Sequence, residues 1–124
     1  MATTFSTVAS FTDATEGTVR QYTTSDTTAG DHVHIVRQTI GTSEEEITIH
    51  ADITGGSGPG WIIVKNHDAT NFVSFGTVTT VYWAKLDPDD GTETLMVPLM
   101  NTIGSVFLKA DTAGCDVTIE IRER

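Results

Sequence analysis

Residues 32–40 read His-Val-His-Ile-Val-Arg-Gln-Thr-Ile, and residues 45–52 read Glu-Glu-Ile-Thr-Ile-His-Ala-Asp, with Gly41-Thr42-Ser43 between them. In the first stretch Val33 and Ile35 fall on one face and His34, Val36 and Gln38 on the other. In the second, Ile47 and Ile49 are expected to face inward, with Glu46, Thr48 and His50 outward. A period of two marks extended strands packed on one face, because successive side chains of a strand point to opposite sides. Gly-Thr-Ser supplies the turn between the two strands.

The same grammar extends along the chain. Thr4–Phe11 alternates loosely around Phe5 and Val8, and Gly17 opens a strand over Thr18–Thr24 with Val19 and Tyr22 as its large residues. Ser25–Asp31 is polar and reads as a loop. Thr54–Gly60 is the strongest breaker and reads as a long hairpin or crossover loop. Trp61–Lys65 is a continuous apolar run, the pattern of a strand covered on both faces. Asn66–Ala69 is a turn, Phe72–Phe75 a strand ended by Gly76, and Thr77–Leu86 a further strand. Asp87-Pro88-Asp89-Asp90-Gly91 is a turn, with proline fixing φ and glycine supplying the left-handed position. Glu93–Leu99 reads as an edge strand because of Pro98. Gly104–Ala110 and Cys115–Arg122 are expected to form a final hairpin across Asp111–Gly114.

Turn signals recur every 8–12 residues, the rhythm of a sandwich. The expected fold is therefore all-β: one domain over residues 1–124, an antiparallel β-sandwich or jelly roll of about 8–10 short strands. Residues 1–30 are more polar and read as an edge strand or an extended N-terminal arm.

Composition agrees. Thr occurs 23 times in 124 residues, and a β-branched side chain fits a pleated surface better than a helix. Leu appears only at positions 86, 95, 99 and 108, and Lys only at 65, 85 and 109. No apolar run is long enough for a membrane helix, and Met1–Phe5 lacks the basic start and apolar run of a secretory signal. The single Cys115 excludes an internal disulfide framework. Seventeen acidic against seven basic residues give a net charge of −10. Such a surface repels phosphate, so neither nucleic acid nor an anionic membrane is an expected partner.

The catalytic inventory is thin. His32 and His34 share a strand face, and His50 on a neighbouring strand is the third candidate ligand for a metal. The spacing is similar to the cupin signature, but Gln38 stands where that pattern has a glutamate, and no metal is assigned. Asp87, Asp89, Asp90 and Glu93 form an acidic loop without the spacing of a calcium hand. Glu44-Glu45-Glu46 reads as a solvated turn. No nucleophile elbow is present, and Cys115 at a strand start reads as a small core residue. Trp61, Tyr82 and Trp83 are the candidates for stacking on a sugar ring. No catalytic, cofactor or metal residue is therefore expected, and the chain is not expected to be an enzyme.

The segment Gly58-Pro-Gly-Trp-Ile-Ile-Val-Lys-Asn-His-Asp-Ala-Thr-Asn-Phe-Val-Ser-Phe-Gly76 resembles small virion proteins of tailed bacteriophages. Leu86-Asp-Pro-Asp-Asp-Gly91, Leu95-Met-Val-Pro-Leu99, Val106–Asp111 and Val117–Ile121 are similar to the same proteins, so the likeness spans residues 55–122. The resemblance implies a structural virion component: a capsid decoration (cement) protein that bridges and stabilises capsomers on the outer capsid surface, made in the bacterial host cytoplasm. It implies the major capsid protein as partner and a homo-oligomer, dimer or trimer. A carbohydrate-binding or receptor-binding β-sandwich of a phage tail, or a head–tail or collar protein, is the alternative. The family carries no catalytic residues to transfer. Met96, Pro98, Leu99, Met100 and Ile103 form an apolar, irregular stretch and are the expected partner-facing residues.

Overall fold

The structure, a computed structural model, describes residues 3–13, 18–28, 32–88 and 94–124, the first two segments by their backbone alone. β1 (Thr3–Asp13) and β2 (Thr18–Thr28) pair antiparallel without a register break and form a two-stranded sheet of their own. The N-terminal region is thus a hairpin that adds no strand to the larger sheets. The loop expected at residues 25–31 is displaced, because β2 runs on to Thr28.

Eight strands build the body: β3 (Val33–Ile40), β4 (Glu45–Thr48), β5 (Pro59–Asn66), β6 (Val73–Gly76), β7 (Ala84–Leu86), β8 (Thr94–Pro98), β9 (Ser105–Ala110) and β10 (Cys115–Glu123). One antiparallel sheet has the order β3-β10-β5-β8 and the other β4-β9-β6-β7. The first of these strands pairs with the last, the second with the seventh, the third with the sixth and the fourth with the fifth. That nested pairing is a long antiparallel ribbon rolled on itself, the double Greek key of a jelly roll. The all-β expectation holds, and of the two architectures named the order selects the jelly roll.

Each strand contributes alternate residues to the core. Ile62 and Val64 from β5, Phe75 from β6, Val106 and Leu108 from β9, and Val117, Ile119 and Ile121 from β10 are at most 1% exposed. Rolling the ribbon also corrects one expectation: β9 and β10 do not pair. Asp111–Gly114 carries the chain from one sheet to the other, because β9 is already flanked by β4 and β6, and β10 by β3 and β5.

Two strands are shorter than their patterns. β4 ends at Thr48, and Ala51–Thr54 makes a single helical turn, α1, whose Asp52 amide donates to Nδ1 of the N-cap residue His50 at 3.2 Å. Ile53 of α1 plugs the core end at 1% exposure. The run Thr77–Leu86 yields only β7, preceded by a tight turn bridged between Val78 and Val81. The Glu44 carboxylate fixes that turn, accepting from the Thr79 hydroxyl at 2.5 Å, the Thr80 amide at 2.7 Å and the Tyr82 hydroxyl. Gly76 is required there, since a Cβ would lie 1.9 Å from the Val81 carbonyl oxygen.

Candidate functional site

β3 faces the opposite way from its apparent polarity. Its His34, Val36 and Gln38 side turns toward the core, in register with Ile121, Ile119 and Val117, while Val33 and Ile35 are 46% and 62% exposed. The outward face of the β3-β10-β5-β8 sheet can then be read off the register. One row runs Val33–Arg122–Trp61–Pro98 and the next Ile35–Glu120–Ile63–Met96. A third runs Arg37–Thr118–Lys65–Thr94. β5 is therefore covered on one face only: Trp61, Ile63 and Lys65 are half-buried on this outer side.

Apolar groups thus lie on three strands of the face, β3, β5 and β8, and the charged residues of β10 between them are held in ion pairs. Arg122 contacts Glu120 at 2.7 Å along β10, and Arg37 contacts Asp116 at 2.6 Å across β3 and β10. Arg37 and Arg122 are thereby each matched with a carboxylate of β10, in a chain that carries −10 overall. An apolar band with locally neutralised charge is the composition of a surface that meets another protein.

The five residues expected to face a partner divide. Met96, Pro98 and Met100 are exposed, and Met96 and Pro98 lie in the band just described. Leu99 is 4% exposed and belongs to the core, and Ile103 is partly buried against that core. The reason is local: after Pro98 the chain turns over the end of the sandwich, where the Leu99 amide bonds the Gly60 carbonyl at 2.9 Å. The aromatic trio does not assemble. Trp61 lies on β5 of the first sheet, while Tyr82 and Trp83 precede β7 of the second, with Trp83 edge-on to Phe75 at 5.2 Å.

The three histidines do converge. A cleft of about 340 Å³ at one end of the sandwich is lined by His32, His34, His50, Asp52 and Ile53, together with Val33 and Ile35. The His34 and His50 rings meet edge-to-face at 5.5 Å. Two of the rings are already employed: His32 Nδ1 bonds Glu123 Oε2 at 2.8 Å, and His50 Nδ1 caps α1. Among the described residues no group of three histidine, cysteine or carboxylate side chains is placed to hold a metal ion. Of the acidic loop, Asp89, Asp90 and Glu93 lie outside the described residues, and Asp87 pairs with Lys85 at 3.2 Å. The Glu44–Glu46 stretch is a clasp rather than a solvated turn, with Glu45 accepting from the Gly41 amide at 2.7 Å and Glu46 from the Ser105 hydroxyl at 2.6 Å. Cys115 is fully buried as a small core residue, and burial, reinforced by Asp68 and Asp111, pushes its thiol up to about 11.

Glu123 escapes a reading of the sequence, although β10 alternation places it inward opposite the glycine-rich loop. It is 4% exposed and accepts from the Ser57 amide at 2.8 Å as well as from His32. A Cβ on Gly56 would sit 1.9 Å from its Oε1, so glycine makes room for the carboxylate. The Ser57 amide first, then His32, hold the Glu123 carboxyl below its ordinary value of 4.5. A depressed carboxyl stabilises the fold above its unfolded value, and that contribution is lost as pH falls through the lower folded value. Urea titrations from neutral pH into the acid range should therefore show Glu123→Gln less stable than wild type at neutrality, with the gap narrowing in acid. A gap that stays constant with pH would contradict this role.

Comparison of the chain with protein-family models, with curated proteins and with solved structures finds no match in any of the three.

Proposed function

We propose that this chain is a structural virion protein of a tailed bacteriophage, a capsid decoration protein that binds the major capsid protein and stabilises capsomers. The observation that carries the binding role is the outward face of β3-β10-β5-β8, where Val33 and Ile35 on one side and Trp61, Ile63, Met96 and Pro98 on the other flank the ion-paired Arg122 and Glu120 of β10. The virion assignment rests on the likeness of residues 55–122 to small phage proteins. A net charge of −10 suits a protein lying outside a DNA-filled shell, since it has no affinity for phosphate.

Mass spectrometry of purified particles should find the chain in amounts comparable with the shell protein, and its absence from the particle ends the reading. Empty capsids should retain the purified chain and lose the double variant Ile63→Glu, Met96→Glu, which places carboxylates within the band without touching the core. Undiminished retention of that variant would remove this face from the interaction.

The tail-protein alternative draws on one feature, a cleft of about 390 Å³ lined by Phe72, Ser74, Tyr82, Lys109, Asp111 and Thr112. Its aromatic floor is compromised as a sugar platform, because the Lys85 ammonium sits 4.0 Å over the Phe72 ring. A glycan array discriminates: binding that Tyr82→Ala abolishes would favour the tail reading over decoration.

A further inference from the structure

Every open sheet is a template for another strand unless its edge is blunted. Three of the four edges in this jelly roll are. β7 has three residues, β4 has four and carries Glu45 and Glu46, and β8 ends in Pro98. β3 is different: eight residues from Val33 to Ile40, with no proline, no glycine and no carboxylate. Among the described residues it pairs only with β10.

The direction of its free backbone groups follows from the ladder. The Glu123 amide donates to the His32 carbonyl at 3.0 Å, and the β3–β10 register is regular from there to Ile40. Antiparallel ladders alternate, so His34, Val36, Gln38 and Ile40 address β10, and the amides and carbonyls of Val33, Ile35, Arg37 and Thr39 point to the open edge. The same four residues carry their side chains on the outward face.

We infer that this edge pairs with β3 of a second copy of the chain, antiparallel about a twofold axis, so that two four-stranded sheets become one continuous sheet. An antiparallel strand is its own hydrogen-bonding complement, which a closed twofold dimer needs. The charge pattern favours the same occupant. Two chains of −10 repel, but β3 carries no acid, and its single charge is the exposed cation of Arg37, which lies 2.6 Å from Asp116 of β10. The remaining acids act through screened solvent, with a Debye length of about 8 Å at physiological salt.

The charges also choose the register. Pairing Val33 with Thr39 and Ile35 with Arg37 of the second copy uses all four edge-facing residues and gives about eight backbone hydrogen bonds, two for each facing pair. A shift of two residues one way sets Arg37 opposite Arg37 of the second copy, which is repulsive. A shift the other way leaves Thr39 beyond the end of the partner strand. In the favoured register Val33 faces Thr39 and Ile35 faces Arg37 of the second copy, and the two Ile35 side chains are diagonal neighbours across the seam. The inference does not depend on the virion reading, since a dimer of this geometry serves any protein-binding role.

Sedimentation velocity of the full chain over a concentration series tests it. Wild type should reach twice the chain mass. Ile35→Pro removes an edge-facing amide without breaking the β3–β10 ladder and should be monomeric. Ile35→Lys sets like charges opposite Arg37 at two symmetric places and should weaken association about tenfold. Ile35→Glu, although it raises the net negative charge, should associate at least as well as wild type by facing Arg37. Circular dichroism and melting of each variant confirm the fold, and the two surface charge variants keep the test decisive if the proline variant fails to fold. A wild-type chain that stays monomeric, or a dimer that Ile35→Lys leaves intact, overturns the proposal. So does association that Ile35→Glu weakens as much as Ile35→Lys.

Discussion

Phe75→Ala is expected to lower the stability of the fold by about 3–5 kcal/mol, the range for deleting a buried aromatic ring. A domain of this size holds about 5–15 kcal/mol in all, so the variant sits near the edge of folding. Phe75 is fully buried, and its β6 neighbours in register are Leu108 of β9 and Ala84 of β7. The buried core to which Phe75 belongs is mostly Ile and Val, Val73, Val106 and Ile119 among them. Their single preferred rotamers leave them little freedom to collapse into the void. Trp83 also loses the ring it meets edge-on at 5.2 Å. Urea unfolding followed by circular dichroism should show the midpoint falling with little change in slope, and Phe75→Leu should lose distinctly less. A loss under about 1 kcal/mol would mean that this ring is not central to the core.

How much of this was legible before the structure depends on which physical rule wrote each segment. β10 announces itself because an inward row of Val and Ile alternates with polar residues and burial follows that row, whereas the continuous apolar run of β5 marks a strand but hides that Trp61 and Ile63 face outward. β3 offers apolar residues on both faces, so its pattern fixes a strand and leaves its polarity open. The core took Ile40, Val36 is partly buried on the same side, and solvent received Val33 and Ile35. That reversal created the outward band, and nothing within β3 alone could have foretold it.

The connections are less legible than the strands. Asp111–Gly114 has the chemistry of a turn, and a turn between paired strands looks the same in sequence as a corner between sheets. Only the competition among all eight strands for neighbours separates them. Thr77–Leu86 failed for a related reason: its Thr and Val content favours extension, but Glu44, 35 residues upstream of Thr79, captures the segment with three hydrogen bonds. At the histidine cleft, the i, i+2 spacing of His32 and His34 and their convergence with His50 were legible. That His50 would cap a helical turn, and His32 clasp a buried glutamate, was not.

The second large effect is expected at Asn66. Its segment reads as an ordinary turn, yet Asn66 is fully buried at the end of β5. Its Nδ2 donates to the carbonyls of Asn71 at 2.8 Å, Leu86 at 3.2 Å and Asp87 at 3.2 Å, while Oδ1 accepts the Asp68 amide at 3.0 Å. One amide thereby ties the first sheet to the 66–71 loop and to the end of β7 in the second. Asn66→Asp keeps the shape and reverses the chemistry, turning lone pairs and a negative charge toward three carbonyl oxygens. An uncompensated buried charge costs about 3–5 kcal/mol, so the variant should be destabilised by that order at neutral pH. The pH dependence gives the mechanism away. Burial and the facing carbonyls raise the introduced carboxyl above its unfolded value, so the folded state binds a proton more tightly than the unfolded one. Stability relative to wild type should then rise as pH falls through the raised value, because the protonated carboxyl regains one donor. Asn66→Ala, which leaves the carbonyls unpaired without adding charge, should be destabilised with no such recovery. If Asn66→Asp and Asn66→Ala follow the same pH profile, the side-chain amide is not the joint between the two sheets.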